Sequence, residues 1–217
     1  MKVTHDAPWL IADLREPMRV LSWALNLPGF VAADRVVFRE VRDSDLPEGL
    51  DAMVWLQQAL DGAGLDDAPT LLTSRSVASY RLCTAQVGEL TATCLATVGL
   101  SNAERVGRRR APGHRIGTIN IAVETSAGLT EAAQIEALTI ATQARTAAVM
   151  EAGLPVPGGM ATGTGTDCIA LAVMPGEGAF AGLHTEVGEA IGRAVYQAVA
   201  KGCADWLTHR PDLRGGA

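Results

Sequence analysis

What most limits the folds open to this chain is the order in which its hydrophobic period changes along 217 residues. Short apolar, strand-like runs come first, at 9–14, 18–25 and 30–41. A helical period follows from about Asp45, and strand-like runs return at 69–73, 78–85 and 90–100. A strand at 117–123, a helix after Thr130, a strand at 169–173 and a helix after His184 complete the series. This order is neither a regular β-α-β alternation nor an all-β chain. It predicts the α+β class: a single domain over 1–217, with its core at about 9–206, built on a mixed, largely antiparallel sheet covered by helices.

Local signals refine the elements. The runs on either side of Glu16-Pro17 read as a hairpin or two successive strands, and Asp34-Arg35 as an interruption of the next one. Asp45 and Glu48 have the spacing of a capping box, with Leu50, Met53, Val54, Gln57 and Leu60 at helical intervals up to Gly62 and Gly64. Gln86-Val87-Gly88-Glu89 is the turn of a long antiparallel hairpin. Thr130 caps a helix with Ile135, Leu138, Thr142 and Val149 on one side. The last helix has Val187, Ile191, Ala194, Val195, Ala198 and Val199 on its apolar face, and Glu189 and Arg193 as an outer i,i+4 pair. Gly188 and Gly192 predict a close approach of that helix to the sheet, and 201–217 reads as a polar tail.

Apolar residues make up 48% of the chain and charged ones 19%, enough for a core and too little charge for disorder. Acids exceed bases by 24 to 18, which argues against a nucleic-acid surface; the basic cluster is Arg105, Arg108, Arg109 and Arg110. The cysteines at 83, 94, 168 and 203 form no CxxC pair, so no zinc site is indicated, and they read as reduced, mostly buried thiols. Residues 1–8 carry no apolar leader and no apolar stretch approaches ~20 residues, so a soluble, cytoplasmic protein without membrane contact is expected. There is no GxGxxG after the first strand and no GxxxxGK[ST].

The chemistry gathers at Gly159-Met160-Ala161-Thr162-Gly163-Thr164-Gly165-Thr166-Asp167, where glycines free the backbone and hydroxyls and an acid demand partners. If the run is extended, Thr162, Thr164 and Thr166 share one face and Asp167 takes the other. Further polar residues interrupt the pattern at Ser22 and Asn26, Ser101 and Asn102, Asn120, and His184 and Thr185, each at a strand end or helix start. Together they predict one cleft at the sheet edge, provided 175–183 runs back far enough to bring His184 to Asp167. At a helix N-terminus His184 suits a neutral base at pH 7. The loop 105–117, with five arginines and His114, is either a solvated connection or an anion-contacting loop.

Four motifs in order, Thr97-Val98-Gly99-Leu100-Ser101-Asn102-Ala103, Gly117-Thr118-Ile119-Asn120-Ile121, Ala161-Thr162-Gly163-Thr164-Gly165-Thr166-Asp167 and Gly182-Leu183-His184-Thr185-Glu186-Val187-Gly188, resemble the adenosylcobinamide amidohydrolase (CbiZ) family. Where such proteins tend to carry Thr-Glu-Ala-Lys before the Gly/Thr loop, this chain has Thr142-Gln143-Ala144-Arg145. The resemblance implies a corrinoid-salvage enzyme that hydrolyses the amide between a corrin side chain and aminopropanol. Its partner would be a small-molecule corrinoid that itself carries the cobalt. No cofactor or metal site of the protein is expected, no nucleic-acid partner, and a homo-oligomer is compatible with all of this. The residues then take these roles: Asp167 or His184 as base toward a water or Thr164, with water preferred, and His184 as acid for the amine. The oxyanion falls to the backbone N–H groups around Gly163 and Gly165 with Asn102, and the substrate contacts to Ser22, Ser101, Asn120, Thr162, Thr166 and Thr185. A non-catalytic corrinoid binder and a nucleotide or phosphate binder are the competing readings.

Overall fold

The computed structural model describes residues 1–42, 45–46, 49–109 and 117–209. Its elements in chain order are β1 (Lys2–Asp6), β2 (Trp9–Ser22), β3 (Gly29–Glu40), α1 (Ala52–Ala63), β4 (Thr70–Thr73), β5 (Arg81–Val87), β6 (Leu90–Val98), β7 (Ala103–Glu104), β8 (Ile119–Leu129), α2 (Glu131–Glu151), β9 (Pro155–Val156), β10 (Gly159–Met160), β11 (Gly163–Thr164), β12 (Cys168–Pro175) and α3 (Glu186–Thr208). An eight-stranded sheet runs β4-β3-β2-β12-β8-β6-β5 with β1 added to β2. Only the β3–β4 and β12–β8 pairs are parallel. The expected α+β architecture, with a mixed and mainly antiparallel sheet, is therefore what the chain forms.

The runs around Glu16-Pro17 form one strand rather than a hairpin. β2 continues through a register shift between Asp13 and Met18, with Arg15 in the left-handed region at φ 72° and its N–H bonded to Asp13 Oδ1 at 2.7 Å. Pro17 sits in this bulge, where it removes no ladder donor. The bulge also divides the work of β2: residues 9–13 pair with β1, and 19–22 with β12. β3 crosses Asp34-Arg35 without a break.

The sheet curls onto itself. In a flat sheet β4 would stand four strand spacings from β8, about 19 Å. Instead Asn120 of β8 donates from Nδ2 to Leu72 O of β4 at 2.6 Å, and Thr97 of β6 reaches Thr73 at 3.4 Å. Leu10, Ala12, Val36 and Phe38 consequently pack against Leu95, Ala122, Ala170 and Ala172 within one core cluster. The opposite faces of the same strands turn Ile119, Ile121, Val123, Ile169 and Leu171 toward α2 and α3.

α1 is capped by Asp51, whose carboxylate accepts from Met53 N and Val54 N, and not by Asp45, which instead caps Arg42 N; Glu48 lies outside the described residues. It buries Leu56 and Leu60 against Val37, leaving Leu50, Met53 and Val54 exposed, and Gly64 in the left-handed region ends it. Thr130 caps α2 as expected, yet the buried face is Ala133, Gln134, Ala137, Ile140, Ala141, Ala148 and Val149, while Ile135 is exposed. Small residues win here because α2 must lie close to both α3 and the sheet. Gln134 is fully satisfied, bonding Arg19 O and Leu171 O at 2.9 Å and accepting from Arg19 Nε.

α3 buries the expected face, and Glu189 pairs with Arg193. It also continues past residue 201, burying Cys203, Trp206 and Leu207 where a tail was expected. Its contact glycine with the sheet is Gly202, seated against the Val98 side chain; Gly188 instead admits the carbonyls of Ala181 and Gly182, and Gly192 meets Ile140 of α2. Gly202→Ala is expected to lower stability by about 1–3 kcal/mol, because an added methyl overlaps Val98. A urea midpoint equal to that of the wild type would show that α3 does not need this approach.

Candidate functional site

β8 and β12 are parallel and start at the same sheet edge, where β6 ends, with Cys168 and Thr97 flanking Asn120 in register. At this edge the Gly/Thr loop folds around one carboxylate. Asp167 Oδ1 accepts from Ile119 N at 3.0 Å and from the Thr164 hydroxyl at 2.5 Å. Oδ2 accepts from Thr164 N at 3.0 Å and from Nη1 of Arg145 on α2. The Asp167 side chain is 6% exposed and that of Arg145 14%. Four donors fill the acceptor sites of the carboxylate, so it holds the loop and has no open lone pair for a water. A methyl on Gly163 would stand 2.5 Å from Asp167 Oδ2 and 2.8 Å from Arg145 Nη1, so a side chain there would have to displace the Asp167–Arg145 pair.

The rest of the loop is strapped to its surroundings. β11 pairs with β7, Thr162 N donates to Glu104 O at 2.8 Å, and the Thr162 hydroxyl accepts from Val106 N at 2.8 Å. Thr166 donates to Gly117 O at 2.9 Å, and Thr118 to Thr166 O at 2.8 Å. Gly117 has no room for a side chain, since a methyl there would meet Ser101 N and Asn102 N within 2.8 Å. Gly165 N reaches Asn102 O at 3.4 Å, a long bond that leaves it near the surface as a donor. The Gly/Thr loop, Ser101, Asn102 and Asn120 are thus brought together as expected. Asn120 is buried and serves the Leu72 carbonyl, and the Ser22 hydroxyl accepts from Ala24 N, so both shape the site from beneath. Asn26 likewise bridges Ala68 O and Thr70 N.

His184 and Thr185 are not part of this cluster. After β12 the chain stays at the far edge: Gly178 N bonds Gly128 O at 3.1 Å, Ala181 N bonds Glu136 Oε2, and Glu186 lies against Gly88 in the β5–β6 turn. The 8 residues of β12 span about 25 Å and the 23 of α3 about 35 Å, far beyond the ~3 Å contacts of proton transfer. Thr185 caps α3 through Gly188 N at 3.0 Å, and His184 is exposed beside it. The expected return of 175–183 fails because Gly128, Gly176 and Gly178 stack backbone on backbone and hold the loop where β12 ends.

A cleft of about 320 Å³ opens beside Asp167, lined by Trp23, Ala24, Leu25, Leu71, Leu72, Asn120, Thr166 and Cys168 among others. Trp23 is 48% exposed, yet its indole N–H is fixed to Asp167 O at 2.8 Å. Burial pushes the Cys168 thiol up to about 12, which removes it as a nucleophile at neutral pH. A larger groove of about 510 Å³ between the ends of α2 and α3 is lined by Ala148, Ala152, Ala200, Ala204, Gly153 and Leu207 and offers one phenol–carboxylate pair, Tyr196 with Glu151. Of the arginine loop, Arg105 donates to Met160 O at 3.0 Å and Arg108 packs over Gly158; Arg110 and His114 lie outside the described residues.

Three residues of the site carried no role in the sequence reading: Arg145, Trp23 and Glu104. Arg145 occupies the place of a lysine in the related motif, which was a usable signal. Trp23 and Glu104 become visible only through the pairing of β2 with β12 and of β7 with β11. Arg145→Ala is expected to destabilise the protein by about 3–5 kcal/mol, because it leaves Asp167 buried and unpaired. Arg145→Lys should recover part of that loss in urea unfolding, and a loss under about 1 kcal/mol for the alanine variant would contradict the pairing.

The uncharacterized protein MJ1613 of Methanocaldococcus jannaschii is 40% identical over 92 residues, 41% of this chain and 36% of that protein, so the match spans about a third of the relative's length. The PH0078 protein from Pyrococcus horikoshii OT3 superposes with a TM-score of 0.44 at 10% identity, over 92% of this chain and 77% of that one, a likeness too loose to bear on activity. The family of adenosylcobinamide amidohydrolases matches residues 1–211, nearly the whole length, and the chain belongs to that family, CbiZ.

Proposed function

We propose that the chain hydrolyses the amide joining a corrin side chain to aminopropanol in adenosylcobinamide, releasing adenosylcobyric acid. The observation that carries this reading is the composition of the cleft at the sheet edge. Trp23 and Leu25, both exposed, supply an apolar wall for the flat ring, and the Gly/Thr loop lies beside them with surface N–H and hydroxyl groups for an amide arm. An indole whose N–H is already held by Asp167 O offers its face at little entropic cost.

The reaction adds water across the C–N bond, so the carbonyl carbon gains the hydroxyl and the nitrogen the remaining hydrogen, leaving as the free amine. Asn102 Nδ2 and the weakly engaged Gly165 N–H serve the developing oxyanion. Water is the nucleophile in this reading, with the Thr164 hydroxyl held in the Asp167–Arg145 clamp that shapes the loop. The cobalt belongs to the substrate, and the reading calls on no cofactor of the protein.

Mass spectrometry of the protein incubated with adenosylcobinamide is expected to show cobyric acid and free aminopropanol in equal amounts. A shifted corrin spectrum with no new product would make the chain a corrinoid binder. Thermal protection by ATP or GTP but not by corrinoid would make it a nucleotide binder.

A further inference from the structure

Once Asp167 is committed to four donors and His184 lies at the other edge, the hydrolysis lacks a base. Glu104 is a second carboxylate at the Asp167 edge. β7 alternates Ala103 inward and Glu104 outward, and Thr162 N to Glu104 O, Val106 N to the Thr162 hydroxyl and the β7–β11 pairing fix its backbone. Its carboxylate has no hydrogen bond or ion pair among the described residues, in contrast to that of Asp167. It faces a notch left by the missing side chain of Gly165. A methyl placed there would stand 3.2 Å from Asn102 Nδ2 and 3.5 Å from Glu104 Oε1. One small volume is therefore flanked by an amide donor and a free carboxylate, the pair that a carbonyl oxygen and an attacking water require.

We propose that Glu104 is the general base of the hydrolysis, acting on a water held in the Gly165 notch while Asn102 Nδ2 binds the carbonyl oxygen. The assignment rests on the hydrolase reading above. Glu104 takes a proton from the water as the hydroxide oxygen bonds to the amide carbon. The C–N bond then breaks with its electron pair going to nitrogen, and the proton on Glu104 passes to the departing amine. The carboxylate is restored, and no further reactant is consumed.

The test is steady-state kinetics of the full chain with adenosylcobinamide, following aminopropanol release, for the wild type, Glu104→Gln and Gly165→Ala. Glu104→Gln keeps shape and removes the basic oxygen, so kcat should fall about 100-fold or more with KM within a few-fold and an unchanged unfolding midpoint. Gly165→Ala fills the notch without disturbing Glu104, and should lower kcat/KM by at least tenfold in a folded protein. Wild-type turnover retained within threefold by Glu104→Gln, or by Gly165→Ala, overturns the assignment and leaves the hydrolase reading standing. No aminopropanol from the wild type overturns that reading and the assignment with it.

Discussion

One carboxylate fastens the part of this structure on which everything proposed for it depends. Asp167 ties the start of β8 through Ile119 N, the Gly/Thr loop through both polar groups of Thr164, and α2 through Arg145, while its own carbonyl holds the Trp23 indole. A withdrawn charge is tolerable only with such a full set of partners, because an uncompensated carboxylate in this position costs several kcal/mol. Its neighbours follow from it. Gly163 has no side chain because the Asp167–Arg145 pair occupies that space, and the loop, so held, presses β11 onto β7 and presents Glu104 outward. Gly163 and Thr164 are in this sense consequences of where the acid must sit.

Much of the frame was legible from the residues. The β5–β6 hairpin, the Thr130 cap and the apolar face of α3 rest on local signals that tertiary structure had no reason to override. α2 was legible only in part: Val149 is buried as read, but Ile135 is exposed and alanines supply much of the buried face. β2 was misread because Glu16-Pro17 looks like a turn, and only the paired neighbours on both sides of the bulge keep the strand going.

The site divides in the same way. The clustering of polar residues at element ends located the Gly/Thr loop, Ser101, Asn102 and Asn120 at one edge, because parallel β8 and β12 must begin together. His184 lies at the other edge, since whether a nine-residue loop returns across a sheet is decided by backbone stacking at Gly128, Gly176 and Gly178. Glu104 escaped notice for a comparable reason: it lies in a two-residue strand with no periodicity to reveal its outward face. What separates Asp167 from Glu104 among the described residues is occupancy, and occupancy is a property of the folded chain.

The account puts corrinoid chemistry at the Asp167 edge of the sheet and nowhere near the start of α3. Titration of isotope-labelled protein with cobyric acid, followed by proton–nitrogen NMR, tests this most directly. The account predicts shifts at the Trp23 indole N–H and at the amides of Asn102 and Thr166, with Thr185 and Glu186 unmoved. Shifts confined to the segment around His184, or none at any of these groups, would contradict it.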